Sequence, residues 1–151
     1  MQYENGDRYE GMVKNGVRHG QGKLTEAEGN VYEGEFIDGK QNGHGIAQYA
    51  NGDRYEGMFK NCKRNGRGKY THANGKIIEG EWLDDSLNGH GKLIFVNGDI
   101  FEGEFRDDQA NGFGKKTCTN GTVFEGVYRN GNFIKRWCFY RSEQHPLYRR
   151  I

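Results

Sequence analysis

One triplet returns at a fixed step of 23 residues, as Tyr9-Glu10-Gly11, Tyr32-Glu33-Gly34, Tyr55-Glu56-Gly57, Ile78-Glu79-Gly80, Phe101-Glu102-Gly103 and Phe124-Glu125-Gly126. Four further glycine columns keep the same interval: Gly6, Gly29, Gly52, Gly75, Gly98 and Gly121; Gly20, Gly43, Gly66, Gly89 and Gly112; Gly22, Gly45, Gly68, Gly91 and Gly114; and the shorter Gly16, Gly39 and Gly131. With the triplets they account for all 25 glycines of the 151-residue chain. Units this short cannot each enclose a core. Every copy must bury its apolar side against the next, which makes the architecture quasi-one-dimensional.

Composition agrees with a thin molecule. Only 33% of the chain is hydrophobic and 28% is charged, poor material for a thick core. Aromatic residues still make up 13%, which argues for order, since disordered chains are depleted in them.

Within a unit, Tyr55-Glu56-Gly57-Met58-Phe59 and Gly68-Lys69-Tyr70-Thr71-His72 each alternate with period two, so both arms are short strands. Lys60 to Asn65 reads as a polar six-residue connection between them, and Ala73-Asn74-Gly75 as a tight junction. A three-residue loop ending in a left-handed glycine at that junction sets Leu93 opposite Phe101, Gly91 opposite Gly103 and Lys92 opposite Glu102. Lys69 then faces Glu79, Lys23 faces Glu33 and Lys115 faces Glu125, with Ile46 against Glu56 the exception. A two-residue turn there would shift the strands by one and put lysines among the aromatics. The hairpin therefore has a Glu–Lys face and an aromatic face, on which Tyr9/Val13, Tyr32/Phe36, Tyr55/Phe59, Ile78/Trp82, Phe101/Phe105 and Phe124/Tyr128 flank the glycines. Exposed ion pairs contribute ~0.2–1 kcal/mol each, so apolar burial must supply most of the stability. Glycine in a strand costs ~0.5–1 kcal/mol, a cost offset if rings lie flat over the bare backbone.

The order aromatic-x-Gly-x-aromatic, connection, Gly-x-Gly and Asn-Gly turn resembles the MORN repeat family over residues 3–131, about six units. The resemblance implies an all-β fold: an elongated single-layer antiparallel sheet of tandem hairpins, used for protein contacts in cytoskeletal, ciliary and membrane-associated assemblies. Strands ~4.8 Å apart give an array of roughly 55–60 Å. Tyr3 falls in the column of Tyr49, His72 and Phe95, so the chain begins on the second strand of a unit, and the open edge invites a strand from a partner or a longer parent chain.

A single layer cannot hide both faces, so part of the aromatic stripe is expected to form a partner-binding groove. Its residues are Tyr9, Tyr32, Phe36, Tyr55, Phe59, Tyr70, Trp82, Leu93, Phe101, Phe105, Phe124 and Tyr128. Residues 132–151 leave the pattern. Trp137, Phe139 and Tyr140 with Arg136, Arg141, Arg149 and Arg150 form either a cap folded over the last hairpin or a tail that docks on a partner or acidic lipid.

Catalytic, metal and cofactor signatures are absent. Gly114-Lys115-Lys116-Thr117 has Gln109 where a phosphate loop needs glycine. His44 and His90 share a column two units apart, ~19 Å, too far to hold one metal. Asp84-Asp85 and Asp107-Asp108 replace turn residues, and Ser86 and Ser142 have no histidine in register. Cys62, Cys118 and Cys138 are odd in number and show no CxxC spacing, which suits a reduced compartment. The formal charge is +1, with about +4 on the tail and −3 on the remainder, and gives no case for nucleic acid. The expectation is a non-enzymatic protein-interaction scaffold, intracellular and cytoplasmic, in a cytoskeletal, ciliary or other large assembly. Its alternatives are a structural protein that self-assembles into dimers or filaments through its open ends, and a phosphoinositide or membrane-surface adaptor. No cofactor is expected.

Overall fold

The computed structural model describes residues 1–136. Twelve strands run in order: β1 (Arg8–Lys14), β2 (Val17–Thr25), β3 (Val31–Ile37), β4 (Lys40–Gln48), β5 (Arg54–Lys60), β6 (Lys63–Thr71), β7 (Ile77–Leu83), β8 (Ser86–Ile94), β9 (Ile100–Arg106), β10 (Gln109–Thr117), β11 (Val123–Arg129) and β12 (Asn132–Arg136). Each hydrogen-bonds to its chain neighbours in one open antiparallel sheet, as the repeat demanded. Among the described residues there is no helix.

The glycine-ending junctions are three-residue loops. Glu26 N–H donates to Asn30 O at 2.8 Å and Gly29 N–H to Glu26 O at 2.9 Å, with Gly29 at φ +105°. That is a turn closed by a left-handed bulge, and it fixes the expected register. Leu93 faces Phe101, Lys92 faces Glu102, Lys69 faces Glu79, Lys23 faces Glu33, Lys115 faces Glu125, and Ile46 faces Glu56.

The other connection differs from expectation. Lys60 to Asn65 is not a six-residue loop, because β5 runs through Lys60 and β6 resumes at Lys63, leaving the two-residue turn Asn61-Cys62 at φ 49° and 68°. Positive φ at both positions makes it the mirror-image turn that matches strand twist. Asp84-Asp85 and Asp107-Asp108 turn in the same way. Without the Asn-Gly signature these pairs do not announce such a turn. The surplus residues form a bulge instead: Gly57 pairs with Gly68 and Phe59 with Arg64, so Met58 alone stands against three residues, with Gly66 at φ +106°. Two extra residues preserve parity, and neither face is exchanged.

On the aromatic face the rings meet edge to face in an unbroken zigzag: Tyr9 on Phe36, Phe36 on Tyr32, Tyr32 on Phe59, Phe59 on Tyr55, Tyr55 on Trp82, with centroids 5.0–5.6 Å apart. Such pairs add ~0.5–1.5 kcal/mol each beyond the area they bury. The paired glycines make this possible. A Cβ on Gly22, Gly45 or Gly68 would overlap the ring of Tyr9, Tyr32 or Tyr55.

On the opposite face the lysines and glutamates stand in register, yet among the described residues none of these facing pairs closes within 4.0 Å; the contacts there are the ion pairs Arg54–Glu56 at 3.2 Å and Arg8–Glu10 at 3.8 Å, and His90 Nδ1 lies 3.7 Å from Glu104 Oε1. Beyond Gly131 the sheet continues, since β12 pairs with β11 and the Phe133 ring meets Tyr128 at 5.3 Å.

Candidate partner-binding face

Hydrogen bonds between units line the face on two sides. Along the three-residue loops, the Oδ1 atoms of Asp7, Asn30, Asp53 and Asp99 accept the backbone N–H of Ala27, Ala50, Ala73 and Thr119, each 20 residues on, at 2.8–3.0 Å. Along the two-residue turns, the second turn residue donates its N–H to the next-door bulged strand: Cys62 to Gln41, Asp85 to Arg64, Asp108 to Leu87. Asp85 and Asp108 also accept, from Arg64 N–H at 2.9 Å and Leu87 N–H at 2.7 Å. These carboxylates are sheet connectors.

Between the two walls lie troughs. The first, about 520 Å³, is lined by Leu24, Tyr32, Ala47 and Phe59 at its base, with Asp7, Glu26, Tyr49, Arg18, Gln41, Arg64, Tyr70 and Asp85 around it. Farther along, hollows of about 320, 370 and 430 Å³ follow, beside Leu93, Phe95 and Phe133.

Two arginines lie over rings of this surface. The Arg64 guanidinium centre is 5.0 Å from the ring centres of both Tyr70 and Trp82, while its Nε donates to Asp85 Oδ1 at 3.2 Å. Arg18 is 5.5 Å from Phe36 and 5.6 Å from Tyr3, and its Nη2 donates to Gly39 O at 2.9 Å. Contacts of this kind hold a charge while burying its stem. Nearby, the Tyr70 hydroxyl donates to Asp53 Oδ2 at 2.6 Å. That bond is the chief reason the Asp53 carboxyl is held below the usual range; burial, with Asp53's help, pushes the Tyr70 phenol up.

The structure redistributes the expected groove residues. Tyr9, Tyr32, Phe36, Tyr55, Phe59, Trp82, Phe101 and Phe105 are each 7% exposed or less, so they are core and offer a partner almost no surface. The reason is the zigzag: rings tipped over bare glycines cover one another. Tyr70, Leu93 and Tyr128 are half-buried and Phe124 is 44% exposed, so these four remain available. Sequence reasoning missed Tyr49, Phe95, Arg18 and Arg64, although Tyr49 and Phe95 share the column of Tyr3. Arg136 lies on β12, and its side chain, with Trp137, Phe139, Tyr140, Arg141, Arg149 and Arg150, lies outside the described residues, as does the choice between cap and docking tail. Among the described residues no cluster of three or more His, Cys, Asp or Glu is placed to hold a metal.

A single-layer stack of tandem hairpins in one open sheet is an open β-repeat protein, a class built for extended contact. The MORN repeat model matches residues 9–31, 32–54, 55–77, 79–100 and 101–123, and the chain belongs to the MORN repeat family. Five units are matched where the sequence suggested about six; the last, from Phe124, is outside the match although its strands β11 and β12 complete the sheet. MORN repeats in general engage proteins or membrane phospholipids.

Proposed function

We propose that the chain is a non-enzymatic protein-interaction scaffold, part of an intracellular assembly of cytoskeletal or ciliary kind, that receives a partner segment along its ring-lined face. The observation carrying this reading is the row of half-buried Tyr49, Tyr70, Leu93, Phe95 and Tyr128 bordering the troughs. Removing such side chains from water adds affinity, and the buried rings beneath hold them rigid. A membrane-surface role has less support, because removing Arg141, Arg149, Arg150 and Glu143 from the total leaves residues 1–136 at a net charge of about −1.

The test uses partners recovered by affinity capture with the intact chain, then calorimetry. Replacing Tyr49 and Leu93 together by serine is expected to weaken binding at least tenfold while leaving the melting temperature within a few degrees. Unchanged affinity removes this face from the account. Alanine at Trp82 or Phe105 would report folding instead, since both are core.

A further inference from the structure

Two columns of the repeat line the first trough, and both change character at the second unit. One reads Leu24, Ala47, Tyr70, Leu93, Lys116, and the other Arg18, Gln41, Arg64, Leu87, Ala110. The smallest side chain of the first column, Ala47, stands between Leu24 and Tyr70. Gln41 stands where both neighbouring units carry arginine. The consequence is a notch in the trough, floored by Ala47 at 6% exposure and the covered rings of Tyr32 and Phe59, with the half-buried rings of Tyr49 and Tyr70 beside it. A regular array with leucine at position 47 would fill it.

We infer that this notch seats one bulky apolar side chain of a partner protein segment whose flanking carboxylates meet the guanidinium groups of Arg18 and Arg64. The inference rests on the scaffold reading and names the partner's chemistry. Charge sets the sign. A guanidinium has five N–H donors. Arg18 spends one in a hydrogen bond within the chain, and the Arg64 side chain makes two, both to Asp85. The rings beneath hold both guanidinium groups in place, and the donors left over can make paired contact with a carboxylate. Of the acidic groups on the rim, Asp7 takes the Ala27 N–H at 2.9 Å and the Asn5 amide at 3.0 Å. Asp85 is ion-paired with Arg64 at 3.2 Å, so Arg64 offers a partner only the donors that Asp85 leaves free, while Arg18 has no carboxylate within 4.0 Å among the described residues. Along the loop wall Glu26 is crowded, its carboxyl pushed up by burial first and then by Glu28 and Asp7. An added anion is repelled there and accepted on the arginine side, so the segment has one orientation across the trough. Arg18 and Arg64 lie on β2 and β6, four strand spacings or ~19 Å apart. An extended segment covers that span in about six residues at ~3.3 Å each, and a helix in about thirteen at 1.5 Å each. Gln41, midway, supplies a donor and an acceptor for the segment's polar groups.

Selection of a random 16-residue peptide display library on the full chain, followed by fluorescence polarisation with the synthesised winners, tests the inference. Enriched peptides are expected to carry a central Leu, Phe, Tyr or Trp with Asp or Glu on both sides. Their affinity is expected to fall at least tenfold on Ala47→Leu and at least fivefold on each of Arg18→Gln and Arg64→Gln, with melting temperatures near that of the parent. Leucine occupies this column in two other units, so Ala47→Leu keeps the fold; Ala47→Val serves if it melts early. Peptides that bind the parent and the Ala47→Leu chain alike overturn the notch but leave the scaffold reading standing. Basic winners overturn the charge assignment. An absence of any winner, with retention instead on phosphatidylserine vesicles that Ala47→Leu does not alter, overturns both this inference and the reading beneath it.

Discussion

The first three units and the last three carry different side chains over the glycines, while the bulged register is common to the first five units and only the last hairpin, β11–β12, departs from it by shifting one residue instead of two. In the first half the ring is tyrosine, and its hydroxyl crosses the paired glycines to reach the bulge: Tyr9 donates to Met12 O, Tyr32 to Glu35 O at 2.8 Å and Tyr55 to Met58 O at 2.9 Å. These rings are 0–3% exposed. The second half has Ile78, Phe101 and Phe124, which carry no hydroxyl, and Phe124 is 44% exposed. The zigzag of rings is interrupted at Ile78, where Leu87 moves over Gly80 and Gly91, and Trp82 Nε1 donates to Gly68 O at 3.1 Å. The bulge, then, does not require the tyrosine. The hydroxyl ties a carbonyl freed by the bulge to the core, and without it packing alone must hold the same turn.

The largest expected contrast is at the glycines. An added Cβ at Gly68 would overlap the Tyr55 hydroxyl and ring, whereas at Gly91 it would lie 2.9 Å from the flexible ends of Leu87 and from Phe105. Urea denaturation of Gly68→Ala is expected to show a loss of about 3 kcal/mol and of Gly91→Ala about 1 kcal/mol. Equal losses would mean that the two halves are packed alike. A smaller contrast is chemical. Tyr55→Phe leaves the Met58 carbonyl without its donor, and about 1 kcal/mol should go with it. The reciprocal Phe101→Tyr, which offers a donor to the equivalent bulge at Glu104, should gain about half that. A gain of zero would show that the second bulge has its carbonyl turned elsewhere.

The parts of this fold legible in the sequence were those that parity controls. Fixed glycine columns set the period, and the fate of the lysines decided the length of the Asn-Gly loop, so the cross-strand partners could be named. Parity says nothing about a bulge that adds two residues, because no side chain changes face; the two-residue turns at Asn61-Cys62 and Asp84-Asp85 were therefore read as loop. The site was less legible for a related reason. Alternation places Trp82 and Tyr49 on one face but does not tell that one ring is tipped over glycine and covered while the other stands at the wall. The notch was present in the sequence as Ala47 in a column of larger residues, yet its meaning depends on knowing that Leu24 and Tyr70 flank it in space.

The mildest way to separate the halves is alkali. Burial pushes up the phenols of Tyr9, Tyr32, Tyr49, Tyr55 and Tyr70 in the first half, Tyr55 to about 12, and only that of Tyr128 among the corresponding residues of the second. A phenol whose folded pKa exceeds its unfolded value near 10 keeps its proton longer in the native state. Above pH 10 the native state therefore binds more protons than the unfolded chain, and stability falls as pH rises towards 12. The melting temperature should decline over that window. Replacing Tyr9, Tyr32 and Tyr55 together by phenylalanine should lower it by several degrees at pH 8 but make the alkaline decline shallower, since three of these phenols are gone while Tyr49, Tyr70 and Tyr128 remain. Should the triple variant decline as steeply as the parent, the hydroxyls at the bulges are not what alkali attacks, and the difference between the halves is one of ring packing alone.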